Sequence, residues 1–403
     1  SLYRATCTTP AAPAPSDITS GGGRCDTSGS WFGGFTRNGL GAGTGAHDDA
    51  GDIVFDTEAA NDAIPMQFSN DGGVYRNTTN NASPTGLGDL VWEQPDVGPH
   101  AMWLYAMAGV DQPGADNEDL YFGLQDDGAW ATRRAVPDNS DWDNVACCDV
   151  FDIVADDTRA LFSLFSAFSL NLTDPGFQNA TSINPPPNAG QQGNANFNYP
   201  EYLDQYGPNQ YVAVTSSGMY ITTDITASPV VWTQVGAGST PAGGFTSVQV
   251  AMSGGTPTFY AQTTAIGVAE QQPPAQLWRY VGTGAGTWQR IDNNDGLTGG
   301  LGIFAVDPND PNRLYASNFG GPAGIQMVFS TDGGTNWDVD TELDNLMTNG
   351  GYFRYQTQTG PTSFAHTAGF QGYAQPSLLA FDPENPNNIA AGGRDSGLFI
   401  STD

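Results

Sequence analysis

One unit of this chain, reading strand, Asp-Pro turn, strand, occurs twice almost residue for residue, and that repeat limits the available folds more than any other feature. The first copy is Ile303-Phe304-Ala305-Val306-Asp307-Pro308-Asn309-Asp310-Pro311-Asn312-Arg313-Leu314-Tyr315-Ala316. The second is Ser377-Leu378-Leu379-Ala380-Phe381-Asp382-Pro383-Glu384-Asn385-Pro386-Asn387-Asn388-Ile389-Ala390-Ala391. An aspartate at such a turn caps backbone amides and the proline presets φ, so each copy is a hairpin with a physical cause. Weaker copies begin at Ile53-Val54-Phe55-Asp56, Ala108-Gly109-Val110-Asp111, Ile153-Val154-Ala155-Asp156-Asp157, Tyr202-Leu203-Asp204 and Val248-Gln249-Val250-Ala251. The marks fall near positions 56, 111, 156, 204, 251, 307 and 382, roughly 54 residues apart.

Helical periodicity is almost absent, and short apolar stretches alternate with Gly, Pro, Asn and Asp clusters. With 52 glycines and 27 prolines, the chain reads as many short strands joined by turns. Repeated four-stranded units at this spacing predict an all-β fold, a β-propeller of about seven four-stranded blades. A β-sandwich built of ordinary hairpins is the competing reading. The expected boundaries are a loop-rich N-terminal segment over residues 1–44 and the propeller over 45–403. Residues Asp174 to Asn198, with Pro185-Pro186-Pro187, read as a long surface loop.

The charge balance excludes whole classes of partner. Against 43 acidic side chains stand 12 basic ones, all arginine, for a net charge of −31. A nucleic-acid phosphate backbone needs a cationic face, so no nucleic-acid partner is expected. No apolar run approaches the roughly 20 residues needed to span a bilayer, so no membrane span is expected. The lack of lysine, the acidity and the Asn/Thr/Gly content suit an extracellular or cell-surface protein. Four cysteines allow three pairings. A Cys7–Cys25 staple on the N-terminal segment is the preferred one, with the adjacent Cys147 and Cys148 as further disulfide candidates and free buried thiols as the alternative.

A second recurrent element follows the Asp-Pro hairpins. Ser330-Thr331-Asp332-Gly333-Gly334-Thr335-Asn336-Trp337 fits Ser-x-Asp-x-Gly-x-x-Trp: the carboxylate takes turn amides, the glycine supplies the backbone and the tryptophan covers the hairpin. Partial copies are Ser69-Asn70-Asp71-Gly72-Gly73, Thr222-Thr223-Asp224 with a late Trp232, and Asp126-Asp127-Gly128-Ala129-Trp130. Ser401-Thr402-Asp403 begins another, so the last blade is expected to be truncated, with N-terminal residues such as Trp31 to Thr36 completing it. On these residues the chain resembles the Asp-box (BNR-repeat) β-propellers, the sialidase, xyloglucanase and sortilin-like superfamily. Phe122-Gly123-Leu124-Gln125-Asp126-Asp127-Gly128 and Gly392-Gly393-Arg394-Asp395-Ser396-Gly397 are similar to blade motifs of the xyloglucanase and sortilin-like branch. The resemblance covers about residues 45–403 and implies architecture, since in that superfamily the boxes lie on outer turns away from the substrate face.

Chemistry is harder to place. The Arg-Ile-Pro motif that resemblance to a sialidase would imply does not occur; Arg37 stands in Phe35-Thr36-Arg37-Asn38. A xyloglucanase-like inverting enzyme needs two carboxylates roughly 6.5–9.5 Å apart across a cleft, and no pair stands out by sequence. His47, His100 and His366 are far apart in sequence, with no metal-ligand spacing. Asp138, Asp141 and Asp143, and Asp292 with Asp295, are candidate calcium ligands on oxygen-rich loops, against the plainer reading of solvated turns. Trp31, Trp92, Trp103, Trp130, Trp142, Tyr199, Tyr202, Tyr352 and Tyr355 are candidate sugar-stacking aromatics or, alternatively, packing between blades. The leading expectation is a non-catalytic propeller that binds glycan or protein at its face, mediates adhesion, or self-assembles outside cells. The alternative is a glycoside hydrolase.

Overall fold

All strand pairings described in the computed structural model are antiparallel, and in every sheet consecutive strands in chain order bond to one another. The structure describes residues 3–4, 32–33, 50–55, 66–70, 73–77, 92–93, 104–111, 118–124, 128–133, 143–146, 149–164, 169–175, 179–187, 202–242, 244–263, 275–292, 297, 301–321, 324–343, 352–357, 360–365, 376–393 and 397–402. Two compact units divide the chain. One comprises Ser1–Leu104 with Leu124–Asp127, the other Tyr105–Gly123 with Gly128–Asp403.

In the first unit, β1 (Tyr3–Arg4) pairs with β2 (Phe32–Gly33). A four-stranded sheet follows from β3 (Ala50–Phe55), β4 (Met66–Asn70), β5 (Gly73–Asn77) and β6 (Trp92–Glu93). Next in the chain come β7 (Leu104–Asp111), β8 (Glu118–Leu124), β9 (Gly128–Thr132) and β10 (Asp143–Ala146) as one sheet. β11 (Val150–Ala155), β12 (Ala160–Leu164), β13 (Ser169–Thr173) and β14 (Ala180–Ile183) form another. β15 (Leu203–Gly207), β16 (Gln210–Thr215), β17 (Gly218–Thr222) and β18 (Thr233–Val235) repeat the plan. So do β19 (Ser247–Ser253), β20 (Thr256–Gln262), β21 (Leu277–Val281) and β22 (Gln289–Arg290). The same holds for β23 (Leu301–Val306), β24 (Leu314–Gly321), β25 (Gly324–Ser330) and β26 (Asp338–Val339). A separate hairpin, β27 (Tyr352–Thr357) with β28 (Gly360–Ala365), precedes a three-stranded sheet of β29 (Pro376–Phe381), β30 (Ile389–Gly393) and β31 (Gly397–Ser401).

This is an all-β propeller with four-stranded blades. Six complete four-stranded blades form among the described residues, where the repeat spacing predicts about seven. The seventh repeat unit, around Asp382, supplies the three-stranded sheet.

The middle strands whose side chains are described are largely buried on both faces, so they do not alternate apolar with polar; they alternate between two cores instead. On β20, Phe259 and Ala261 join the core toward Tyr206 and Val212, while Tyr260 between them joins Phe304, Leu314 and Trp337. On β23 and β25, Phe304, Val306 and Val328 face one seam, and Ala305 and Met327 face the next with Leu379 and Phe381. First strands of successive blades lie side by side through β11, β15, β19, β23 and β29.

Four of the repeat marks, Asp111, Asp156, Asp307 and Asp382, sit at the end of a sheet's first strand or on the turn that follows it, and Asp56 lies outside the described residues. The marks at Asp204 and Ala251 lie inside β15 and β19 instead, and the β19–β20 turn is Gly254-Gly255 with no aspartate. The expected long loop from Asp174 to Asn198 contains a strand, β14, which completes its blade through Leu172 opposite Thr181. Residues 188–201 lie outside the described ones, as does most of 1–44; of the expected closing segment Trp31 to Thr36 only Phe32 and Gly33 are described, and they pair with Tyr3–Arg4.

Candidate functional site

The most fully built polar constellation is the turn between β25 and β26. Asp332 Oδ1 accepts the amides of Thr335 and Asn336 at 3.0 and 2.9 Å, and its Oδ2 accepts Asn336 Nδ2 at 2.6 Å. Ser330 Oγ accepts the Gly334 amide at 2.9 Å and donates to Asp332 Oδ1 at 2.9 Å. The Asn336 amide, with help from the Asn336 side chain, Ser330 and Thr335, holds the Asp332 carboxyl below the usual carboxylate range against an upward push from desolvation. Gly334 has φ +86°, and a Cβ there would lie 2.5 Å from Ile291 Cδ1. Trp337 is buried and donates its indole N–H to the Ile291 carbonyl at 3.1 Å, across the seam to the preceding blade.

The same local plan recurs where the sequence pattern is degraded. After β17, Asp224 Oδ1 accepts the Thr226 amide and hydroxyl at 3.0 and 2.6 Å. Trp232, late in sequence, still donates to the preceding blade, to Asn184 O at 2.9 Å. After β13, Asp174 takes the Asn179 amide at 2.8 Å and its side-chain amide at 2.5 Å, matching the Asp332–Asn336 pair. Trp288 belongs to the set as well, reaching Val235 O at 3.4 Å. Sequence reading missed Asp174 and Trp288; the recurrence of Trp232, Trp288 and Trp337 at close to blade spacing was the signal available.

Other expected site residues scatter. Ser69 and Gly73 stand on β4 and β5, so that partial copy spans a second-to-third-strand turn, a different place in the blade from Ser330–Trp337. Asp71, Asp126 and Asp127 lie outside the described residues, and Gly128 to Trp130 open β9, again a third strand. Ser401 ends β31, the third strand of its sheet, as Ser330 ends β25; Asp403 lies outside the described residues. Cys7, Cys25, Cys147 and Cys148 all lie outside them, and so do His47, His100, His366 and Arg37.

Among the calcium candidates, Asp138, Asp141 and Asp295 lie outside the described residues and Asp143 opens β10. Asp292 is buried, and its two oxygens take Arg290 Nε and Nη2 at 2.8 and 2.9 Å. Its charge is therefore matched by a guanidinium fork, which leaves a cation little to gain. Among the described residues no group of three His, Cys, Asp or Glu side chains converges as a metal site. Of the aromatic candidates, Trp31, Trp103, Trp142 and Tyr199 lie outside the described residues, while Trp92, Tyr352 and Tyr355 stand on β6 and β27. Tyr202 is buried against the blade core rather than offered to solvent, and burial followed by the nearby Asp152 charge pushes its phenol far up. Trp130 stacks on Phe122 at 6.5 Å.

Comparison with solved structures shows the same fold. The chain is similar to a GH74 enzyme from Niastella koreensis at TM-score 0.50 and 16% identity, over 84% of this chain and 50% of that one. It thus spans half the length of that enzyme. It is also similar to the β-propeller domain of Myceliophteria thermophila Cps50 (Swd1), at TM-score 0.45 and 10% identity over 89% and 98% of the two chains. YCF48 from Cyanidioschyzon merolae matches at TM-score 0.41 and 14% identity, over 76% and 96%. No family model and no curated protein matches the chain. No helix is long and apolar enough to cross a membrane among the described residues.

Proposed function

We propose that this chain is an Asp-box propeller of the extracellular space or cell surface, non-catalytic, which binds glycan or protein, mediates adhesion or assembles with other chains. One observation carries the reading: six of the described carboxylates are spent on the fold. Asp152, Asp156, Asp204, Asp224, Asp332 and Asp382 each accept backbone amides. Asp156, Asp224, Asp332 and Asp382 are held below the ordinary carboxylate range. A glycosidase's general acid requires the opposite displacement. The lysine-free, acidic composition supports an extracellular setting.

A glycan array paired with a reducing-end release assay tests this directly. Binding without turnover is the expected result. Release of reducing ends from any polysaccharide would overturn it in favour of a glycoside hydrolase, the class named for the Niastella koreensis protein.

A further inference from the structure

Charge is missing from one place on the rim of this acidic molecule. The blade β19–β22 has its first-to-second-strand turn at Ser253-Gly254-Gly255-Thr256 and its third-to-fourth-strand turn at Gly282-Thr283-Gly284-Ala285-Gly286-Thr287. The two turns are neighbours, since the Gly282 amide donates to Pro257 O at 2.8 Å. Neither carries an ionisable side chain. Each of the other described second-unit sheets from β11 onward has acids in at least one equivalent turn, although the β15–β16 turn Gly207-Pro208-Asn209-Gln210 has none: Asp156, Asp157 and Asp174; Asp224; Asp307, Asp310 and Asp332; Asp382 and Glu384. Between Asp224 and Asp292 the sequence holds one acid, Glu270, and it belongs to neither turn.

The patch is also bare. Ser253 to Thr256 and Thr283 to Thr287 are exposed, Val281 beside them is 53% exposed, and a Cβ at Gly254, Gly255, Gly282 or Gly284 would meet nothing within 4 Å. Gly254 and Gly255 have φ +55° and +80°, which a two-residue hairpin demands. Gly284 has neither a positive φ nor a neighbour within reach of a Cβ, so nothing among the described residues requires a glycine there.

Two molecules carrying −31 each repel wherever their acidic turns meet. We infer that the β19–β20 and β21–β22 turns form a self-association face, apposed to the same turns of a second copy of this chain. The proposal rests on the binding-and-assembly reading above and names its partner. A self-complementary uncharged patch satisfies the two-fold geometry of the commonest homodimers, in which a surface meets itself. Its flank is acidic: Met252 donates to Pro308 O at 2.8 Å, tying the patch to the turn that holds Asp307 and Asp310. Salt should therefore strengthen the association by screening that flank, the reverse of an interface held by opposite charges.

Sedimentation equilibrium of the full chain, from about 10 μM to about 1 mM and at about 0.05 M and 1 M NaCl, reads the result. The expected outcome is a dimer that tightens with salt. Thr256→Asp with Ala285→Asp gives this blade the charge its neighbours carry and should weaken the dimer about tenfold or more at unchanged Tm. Thr256→Asn with Ala285→Asn should leave it intact. Should the aspartate pair not fold, deuterium uptake in the unaltered chain decides instead, with protection at 253–256 and 282–287 rising with concentration. A monomer at every concentration, or a dimer indifferent to the aspartates, overturns the proposal. Glycan binding by a monomer would sink this inference alone, whereas polysaccharide turnover would sink the reading beneath it.

Discussion

Asp204 Oδ2 accepts the Val250 amide at 2.7 Å, joining the first strand of one blade to the first strand of the next. Asp152 does the same one seam earlier, taking the Leu203 amide at 2.7 Å. One seam later Gln249 takes the Val306 amide at 2.9 Å and gives its own amide to Phe304 O at 3.1 Å. A blade's first strand is the edge of its sheet, so its outward amides have no ladder partner. Side chains from the preceding first strand supply one.

Removing such a latch leaves a buried donor without an acceptor. Asp152 is buried and Asp204 only partly so. Asp152→Ala is expected to cost about 2–3 kcal/mol and Asp204→Ala about 1–2 kcal/mol, with asparagine recovering part of each. Urea unfolding at constant m-value measures both. Wild-type stability in Asp152→Ala would show that the latch does not hold the seam.

Trp337 and Gly334 act on the same seam through Ile291. Trp337→Phe keeps most of the buried ring but loses the indole bond to Ile291 O, for about 1 kcal/mol; Trp337→Ala should cost about 3–5 kcal/mol. Gly334→Ala forces both an unfavourable φ and a clash, so a loss of about 2 kcal/mol or more is expected. Thermal unfolding ranks the three. A Trp337→Phe variant as damaged as Trp337→Ala would mean that the hydrogen bond, rather than the packed ring, dominates.

The Asp-Pro hairpins were readable because the bonds that cap them are local, although Asn309 and Arg313 also reach the Pro383 and Pro386 carbonyls of the other hairpin. Asp307 caps Asn309 and Asp310 two and three residues on, and Asp382 caps Glu384 and Asn385 likewise. The Ser330–Trp337 turn was readable for the same reason. Asp204 was singled out as a turn mark, yet its second oxygen serves a strand 46 residues away. No local spacing encodes such a bond. Trp232 shows the reverse case: inserted residues broke its motif, but packing against the preceding blade kept its place.

Acid should loosen this protein through its turns. Hydrogen bonds from Asn388, Asn385 and Glu384 hold Asp382 down; for Asp156, burial pushes upward but bonds from Thr158, Gln205 and Arg159 outweigh it. A carboxylate lowered in the folded state contributes stability above its unfolded value, near 4, and loses it as pH falls through the lower folded value. Chemical denaturation at high salt, where general repulsion is screened, should show a plateau above about pH 5 and a decline below about pH 4. Asp156→Asn should flatten that decline. Stability that rises steadily on acidification at high salt would contradict the assignment.

Salt should act on the whole molecule as well as on its patch. With a net charge of −31 and no lysine, most surface carboxylates have no cation to pair with, and two of the twelve arginines, Arg290 and Arg313, are taken by the buried Asp292 and Asp307. Folding concentrates these charges, so the compact state bears more repulsion than the unfolded chain. Raising NaCl from about 0.01 to about 1 M shortens the Debye length from about 30 to about 3 Å and removes most of that difference. The Tm should therefore climb by about 5 °C or more, most of it below about 0.3 M, as screening predicts. Sulfate stabilises by exclusion from the surface and acts at higher concentration, so matched chloride and sulfate series separate the two effects. A Tm flat in chloride would mean that charge repulsion is not what limits this fold.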